Sequence, residues 1–203
     1  MDIFKCIKNK DSQMLQKYIK DNEDVDKVDD HKYSLVHLCC INKWIDGLNY
    51  LISAGANINV TDNEGWTPLF WSTCKQSIEL IKILLHKGAD VNKTNKIGYT
   101  AFYQACVDNN IEIAIVLKNY NTDTTLKTKW NSSIYDLLKK RQNIELINVL
   151  LNSNKKINRK KSINYERVYK INNSIDQELK NQTSETHLKN YQKQWLKNLH
   201  SLF

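Results

Sequence analysis

Residues of one chemical kind recur every 33 positions in this chain, and that period constrains the fold more than any single motif. Leu84 recurs at Leu51, Leu117 and Leu150, with Tyr18 in the matching place at the start. Ile78 recurs at Ile45, Ile111 and Ile144. A third column reads Asn22, Gly55, Gly88, Asn121, Asn154. Gly and Asn are the two residues that best tolerate left-handed backbone, so each of these ends a helix. A fourth column reads Val25, Ile58, Val91, Thr124, Ile157. Four columns in register over five units describe a repeat array, whose units bury their apolar faces against their neighbours.

The unit from Asp62 to Thr94 shows the local structure most clearly. Asp62-Asn63-Glu64-Gly65 is turn chemistry. Thr67 can cap the helix that follows, and Pro68 sits where a missing N–H costs nothing. A second helix is predicted from Ser77 to His86, with Ile78, Leu80, Ile81, Ile83, Leu84 and Leu85 on one broad face and Gly88 as its stop. Turn, helix, turn, helix and loop, with Thr67-Pro68-Leu69 opening the first helix, resembles an ankyrin repeat.

The resemblance implies an all-α solenoid of helix-turn-helix units with β-turn fingers over residues 1–158. Its repeats are 1–28, 29–61, 62–94, 95–127 and 128–158, followed by a basic helical extension or cap at 159–203. Ser34-Leu35-Val36-His37, Thr100-Ala101-Phe102-Tyr103 and Ser133-Ile134-Tyr135-Asp136 stand where the family has its TPLH signature. The truncated first repeat turns Phe4, Cys6, Ile7, Leu15 and Ile19 inward. The fifth departs most from the pattern, with Lys139 at a position that calls for a small residue.

Charge separates the two parts. Residues 1–152 hold 19 Lys+Arg against 18 Asp+Glu, whereas residues 153–203 hold 11 against 4, so +7 of the net +8 belongs to the tail. Leu188, Tyr191, Trp195, Leu199 and Leu202 form one near-heptad stripe there. Three roles stay open for the tail: a cap on the last repeat, an amphipathic helix laid in a partner's groove, or a surface for nucleic acid or an anionic membrane. Lys160, Lys161, Tyr191 and Trp195 are its candidate contacts. No apolar run reaches membrane-spanning length, and Met1–Lys5 lacks the start of a signal peptide. Five cysteines without such a signal suit a reducing compartment, so the chain is expected in the cytoplasm, or in a host's cytoplasm or nucleus if it is a viral, bacterial or protist effector.

Catalytic, cofactor and metal sites are not expected. The phosphate-loop, nucleophile-elbow and metalloprotease motifs are missing. The cysteines fall in small-residue columns and read as packing, with Cys74 the more accessible one. His37-Leu38-Cys39-Cys40 has no zinc-site spacing. The resemblance makes His37 a structural histidine bonded to backbone between repeats, and it matches Asn59 and Asn92 to a loop asparagine hydroxylated in some animal ankyrin proteins.

The resemblance also implies a protein partner on a concave surface lined by the fingers and first helices. Tyr33, Trp66 and Tyr99 occupy one column there; the next member is Ser132, with Trp130 two residues away. Aromatics bury much area at low entropic cost and so anchor interfaces, or else these rings pack on one another as a ladder from finger to finger. Asp30, His31, Asn42, Asn63, Glu64, Lys75, Ile97 and Asp108 share the register, while Trp44 and Trp71 are expected to be packed. The expected function is a monomeric, non-catalytic adaptor that takes no small-molecule substrate. The alternative is nucleic-acid or anionic-membrane association through the tail.

Overall fold

The computed structural model describes residues 2–143 and 145–147. They include the α-helices α1 Ile3–Asn9, α2 Ser12–Lys20, α3 Leu35–Ile41, α4 Ile45–Ser53, α5 Pro68–Cys74, α6 Ile78–His86, α7 Ala101–Val107, α8 Ile111–Lys118 and α9 Ile134–Lys140, and residues 145–147 are helical as well. The chain is an all-α repeat solenoid, and its described residues contain no β-strand beyond two isolated bridges, Val28 with Ser34 and Lys127 with Ser133. The tail candidates Lys160, Lys161, Tyr191 and Trp195 lie outside the described residues, as do Leu150, Asn154 and Ile157.

The first helix of each unit packs on the first helix of the next, so α1, α3, α5, α7 and α9 form an inner row. Behind it α2 packs on α4 and α6 on α8. Local chemistry sets the starts. Ser34, Thr67, Thr100 and Ser133 each accept a backbone N–H three residues on, and Pro68 opens α5. The two helices of a unit are joined by a residue in left-handed backbone: Lys10, Lys43, Gln76, Asn109 and Gln142, with φ between 51° and 56°. Each second helix then stops at Asn22, Gly55, Gly88 or Asn121, all at positive φ, as their column predicts.

The columns are the core. Leu51, Leu84 and Leu117 are fully buried, and Tyr18 nearly so. Ile45, Ile78 and Ile111 open the second helices and are half-buried against that core. The inner row packs through Cys40, Thr73 and Cys106, whose small side chains let helices approach closely. Lys139 takes that place on α9 and is exposed. In the first repeat Cys6, Ile7 and Leu15 are buried as expected, Phe4 and Ile19 are half-buried, and Ile3 joins them in the core.

Trp44 departs from the repeat without disturbing it. It stands at the N-cap of α4 and makes no side-chain cap hydrogen bond. Its indole is buried instead, over Gly47, where an added Cβ would come within 2.2 Å of the ring. One cap is exchanged for a packed aromatic.

Interior repeats have neighbours on both sides, so their core residues hold two interfaces. Leu84→Ala is expected to cost about 2–5 kcal/mol, the range for deleting a buried leucine side chain. Urea denaturation checks this, and a loss below about 1 kcal/mol would contradict the placement.

Candidate functional site

Four hairpin fingers precede the inner helices, at residues 29–33, 62–66, 95–99 and 128–132. In each, the first residue donates its N–H to the carbonyl of the fifth: Asp29 to Tyr33 at 3.0 Å, Asp62 to Trp66 at 3.1 Å, Asn95 to Tyr99 at 3.0 Å and Thr128 to Ser132 at 2.9 Å. The fourth residue is left-handed, with φ of 62° at Lys32, 81° at Gly65, 85° at Gly98 and 58° at Asn131. Gly98 faces a second demand, because a Cβ there would lie 2.8 Å from Lys127 O and Thr128 Cα of the next finger. Adjacent fingers are joined through the backbone. Asn63 donates to the His31 carbonyl at 3.3 Å, Lys96 to Glu64 at 3.1 Å and Lys129 to Ile97 at 3.1 Å.

A side-chain oxygen at the first position clamps three of the four fingers. Asp29 Oδ1 accepts the N–H groups of His31 and Tyr33 at 3.0 and 2.8 Å. Asp62 Oδ1 accepts those of Glu64 and Trp66, both at 2.9 Å. Asn95 Oδ1 accepts those of Ile97 and Tyr99 at 3.1 and 2.8 Å. Asp62 uses its other oxygen as well, accepting from the Trp71 indole N–H at 2.9 Å. Thr128 breaks the series: its hydroxyl oxygen is buried and has no hydrogen-bond partner. A buried polar group left unpaired costs about 1–3 kcal/mol.

The clamp aims the aromatic column. Tyr33, Trp66 and Tyr99 are all half-buried. They do not form a ladder from finger to finger. Trp66 lies on Phe70, with ring centroids 3.7 Å apart, and Tyr99 lies on Tyr103 at 4.3 Å. Tyr33 faces His37 at 6.1 Å and meets Trp71 of the next repeat edge-on at 5.7 Å. Each ring stands two residues before its helix; Trp66 and Tyr99 land on the first turn of that helix, while Tyr33 also reaches across to the next repeat. Trp44 and Trp71 are packed as expected.

Around this column Asp30, His31, Asn63, Glu64 and Asp108 are exposed, and Ile97, Lys75 and Asn42 are half-buried. Glu64 pairs with Lys96 at 3.6 Å, both well exposed, which contributes little to stability. Asp108 accepts from Gln104 at 2.9 Å, and Asn42 donates to the Leu38 carbonyl at 2.8 Å. Trp130 is the most exposed aromatic of the set at 63%, with the Lys129 ammonium 5.1 Å from its ring centroid.

His37 is fully buried and joins two repeats. Its Nε2 donates to the Trp66 carbonyl at 3.0 Å, while Nδ1 accepts from Ser34 Oγ at 2.9 Å and from the Ser34 N–H at 3.2 Å. Burial holds the ring neutral by lowering its pKa, against the opposing pull of the Trp66 carbonyl and of Asp62 and Asp29. Cys40 and Cys106 are buried and Cys74 is half-buried. Burial pushes the first two up to about 12 and Cys74 up to about 11, so all three stay protonated thiols at neutral pH. No group of His, Cys, Asp or Glu among the described residues could hold a metal ion.

Asn59 and Asn92 act as bridges between loops. Asn59 Oδ1 accepts the Asp90 N–H at 2.8 Å and its Nδ2 donates to the Gly88 carbonyl at 3.3 Å. Asn92 repeats both bonds one unit on, to Asp123 at 2.7 Å and Asn121 at 3.2 Å. Both amide ends are engaged in holding the stack. The clamp column Asp29, Asp62, Asn95 is the feature that sequence reasoning passed over. Its signal was an Asp or Asn at the head of each turn, 33 residues apart.

Family models for ankyrin repeats match residues 3–95, in a model of three copies, and residues 75–117, in a model of many copies. Over 60 residues, 30% of this chain, the sequence is 36% identical to BCL-6 corepressor-like protein 1 of Homo sapiens. It shows the same identity over the same length to that protein of Mus musculus. The matched stretch spans 3% of the length of each relative.

Two outcomes follow from the clamps and from His37. Thr128→Asn supplies the missing acceptor and removes the orphaned hydroxyl, so it should stabilise the chain by about 0.5–1.5 kcal/mol, read as a rise in thermal midpoint. Native His37 holds a proton less tightly than the unfolded chain does, so the unfolded state gains stability on acidification. Its contribution is complete above the ordinary imidazole value of about 6.5 and is lost as pH falls below it. Urea midpoints at about pH 7.5 and pH 5.5 should drop more steeply for the native chain than for His37→Asn.

Proposed function

The chain belongs to the ankyrin-repeat family, whose repeats are generally protein–protein interaction modules, and on that premise we propose that it is a non-catalytic adaptor binding a protein partner on the concave face of its fingers and inner helices. The observation that carries this is the half-buried column Tyr33, Trp66 and Tyr99, with Trp66 and Tyr99 seated on their own helices and Tyr33 held between His37 and Trp71 of the next repeat. Rings held this way lose little entropy on binding and offer amphipathic area, which is what interface anchors require. Asp30, His31, Asn63, Glu64, Lys75, Ile97 and Asp108 would supply the polar rim, and Trp130 a further aromatic contact. We place the protein in the cytoplasm as a monomer, or in a host's cytoplasm or nucleus if it is an effector. The corepressor in the relatives' name agrees with a role in assembling proteins, though the match covers too little of them to bring a particular partner.

The high thiol pKa values of Cys40, Cys74 and Cys106 and the neutral, fully bonded His37 leave these four residues without the character of an activated nucleophile or base, which supports a binding role over a catalytic one. The +7 charge of residues 153–203 supports nucleic-acid or anionic-membrane association as a second reading.

The test is affinity capture followed by reconstitution with the identified, purified partner. The triple variant Tyr33→Ala/Trp66→Ala/Tyr99→Ala, matched for folding by circular dichroism, should bind at least about tenfold more weakly. Unchanged affinity, or capture of nucleic acid alone with a steep salt dependence, would move the function to residues 159–203.

A further inference from the structure

The fourth finger, residues 128–132, departs from the other three in two independent ways. Its clamp is missing: Thr128 is 5% exposed and its buried hydroxyl makes no hydrogen bond, so the N–H groups of Trp130 and Ser132 lack the acceptor their counterparts have. Its aromatic is also displaced. Ser132 fills the place of Tyr33, Trp66 and Tyr99, and the ring moves to the tip as Trp130, 63% exposed with no helix beneath it in the way Phe70 underlies Trp66. An indole left this far in water gains more from being covered than the rings already half-buried.

Charge defines what covers it. Residues 95–99 and 127–132 contain Lys96, Lys127 and Lys129 and no carboxylate. Lys96 is matched by Glu64 of the preceding finger. Among the described residues Lys127 donates to the neutral Asn131 amide oxygen at 3.0 Å and lies within electrostatic reach of the exposed Asp136 carboxylate, without a salt bridge to it, and Lys129 stands over the Trp130 ring. Lys129 is therefore open to a carboxylate from outside, and Lys127, in no salt bridge among the described residues, can meet a second. The first two fingers, by contrast, carry Asp29, Asp30, Asp62 and Glu64.

We propose that the fourth finger anchors an acidic protein segment, with the Trp130 indole entering an apolar socket of that segment and Lys127 and Lys129 meeting its carboxylates. This rests on the adaptor reading and names the chemistry of the partner at one end of the same face. The indole supplies the buried area, and the lysines orient the segment along the finger row and speed encounter. Once covered, the finger acquires from its partner the order that Thr128 does not give it.

The probe is a random-sequence peptide display library selected on the intact chain, with the winning peptides remade and measured by fluorescence anisotropy. Expected are peptides rich in Asp and Glu around an apolar residue. Their affinity should fall at least about tenfold with Trp130→Ala and several-fold with the double variant Lys127→Glu/Lys129→Glu, and weaken with added salt. Trp130 and both lysines are exposed, so these variants keep the core intact, and circular dichroism checks it. Peptides that bind Trp130→Ala as tightly as the native chain overturn the proposal, and so does a selection that returns neutral or basic sequences or nothing specific. If such peptides are lost with Tyr33→Ala/Trp66→Ala/Tyr99→Ala, the concave face still binds and only the finger assignment fails. If neither variant weakens them, the concave face fails with it.

Discussion

One oxygen atom at the head of three of the four fingers determines the shape of the face that this chain presents. Asp29, Asp62 and Asn95 each gather two backbone N–H groups within five residues, and a turn so pinned has a single conformation. The aromatic residue is the fifth of the five, so fixing the turn fixes where its ring begins. The helix that follows then receives the ring on its first turn. Asp62 extends this control furthest, because its second oxygen also fixes the Trp71 indole, against which Tyr33 of the preceding finger packs. The fourth finger differs on both counts: Thr128 makes no clamp, and the sequence puts Ser132 in the column and its aromatic, Trp130, at the tip, in water.

The helices supply the platform. They run seven to nine residues, too short to persist alone in water, where about 12–15 residues are marginal. Their stability comes from the neighbouring unit, which is why the leucine column is fully buried and the inner row uses Cys40, Thr73 and Cys106 rather than bulky residues. Polar bridges repeat with the same spacing. His37 bonds the Trp66 carbonyl across one interface, and Asn59 and Asn92 tie successive loops. A face built this way behaves as one surface, since each finger also bonds the next.

Much of this was legible in the sequence because the repeat itself is a measurement made several times. The helix stops at Gly55, Gly88 and Asn121, the caps at Ser34 and Thr67, the buried leucines and the backbone-bonded His37 all followed from columns or from the family resemblance. The rings of Tyr33, Trp66 and Tyr99 were harder to place. Spacing puts them in one column but does not say whether a ring turns toward the next finger or its own helix, which side-chain packing decides. The left-handed joints at Lys10, Lys43, Gln76 and Gln142 were invisible for a related reason, Asn109 alone being of a type that favours that conformation. Lys and Gln carry no preference for that conformation, and the tertiary arrangement of the two helices imposes it. Thr128 was likewise unremarkable until the clamp column around it was seen.

Amide hydrogen exchange of the free chain, resolved residue by residue by NMR, tests the clamp most directly. The account predicts that the amides of Tyr33, Glu64, Trp66, Ile97 and Tyr99 exchange slowly, whereas those of Trp130 and Ser132 exchange markedly faster, and that Thr128→Asn slows the latter pair. Uniform protection across all four fingers, or fast exchange at Trp66 and Tyr99, would contradict it.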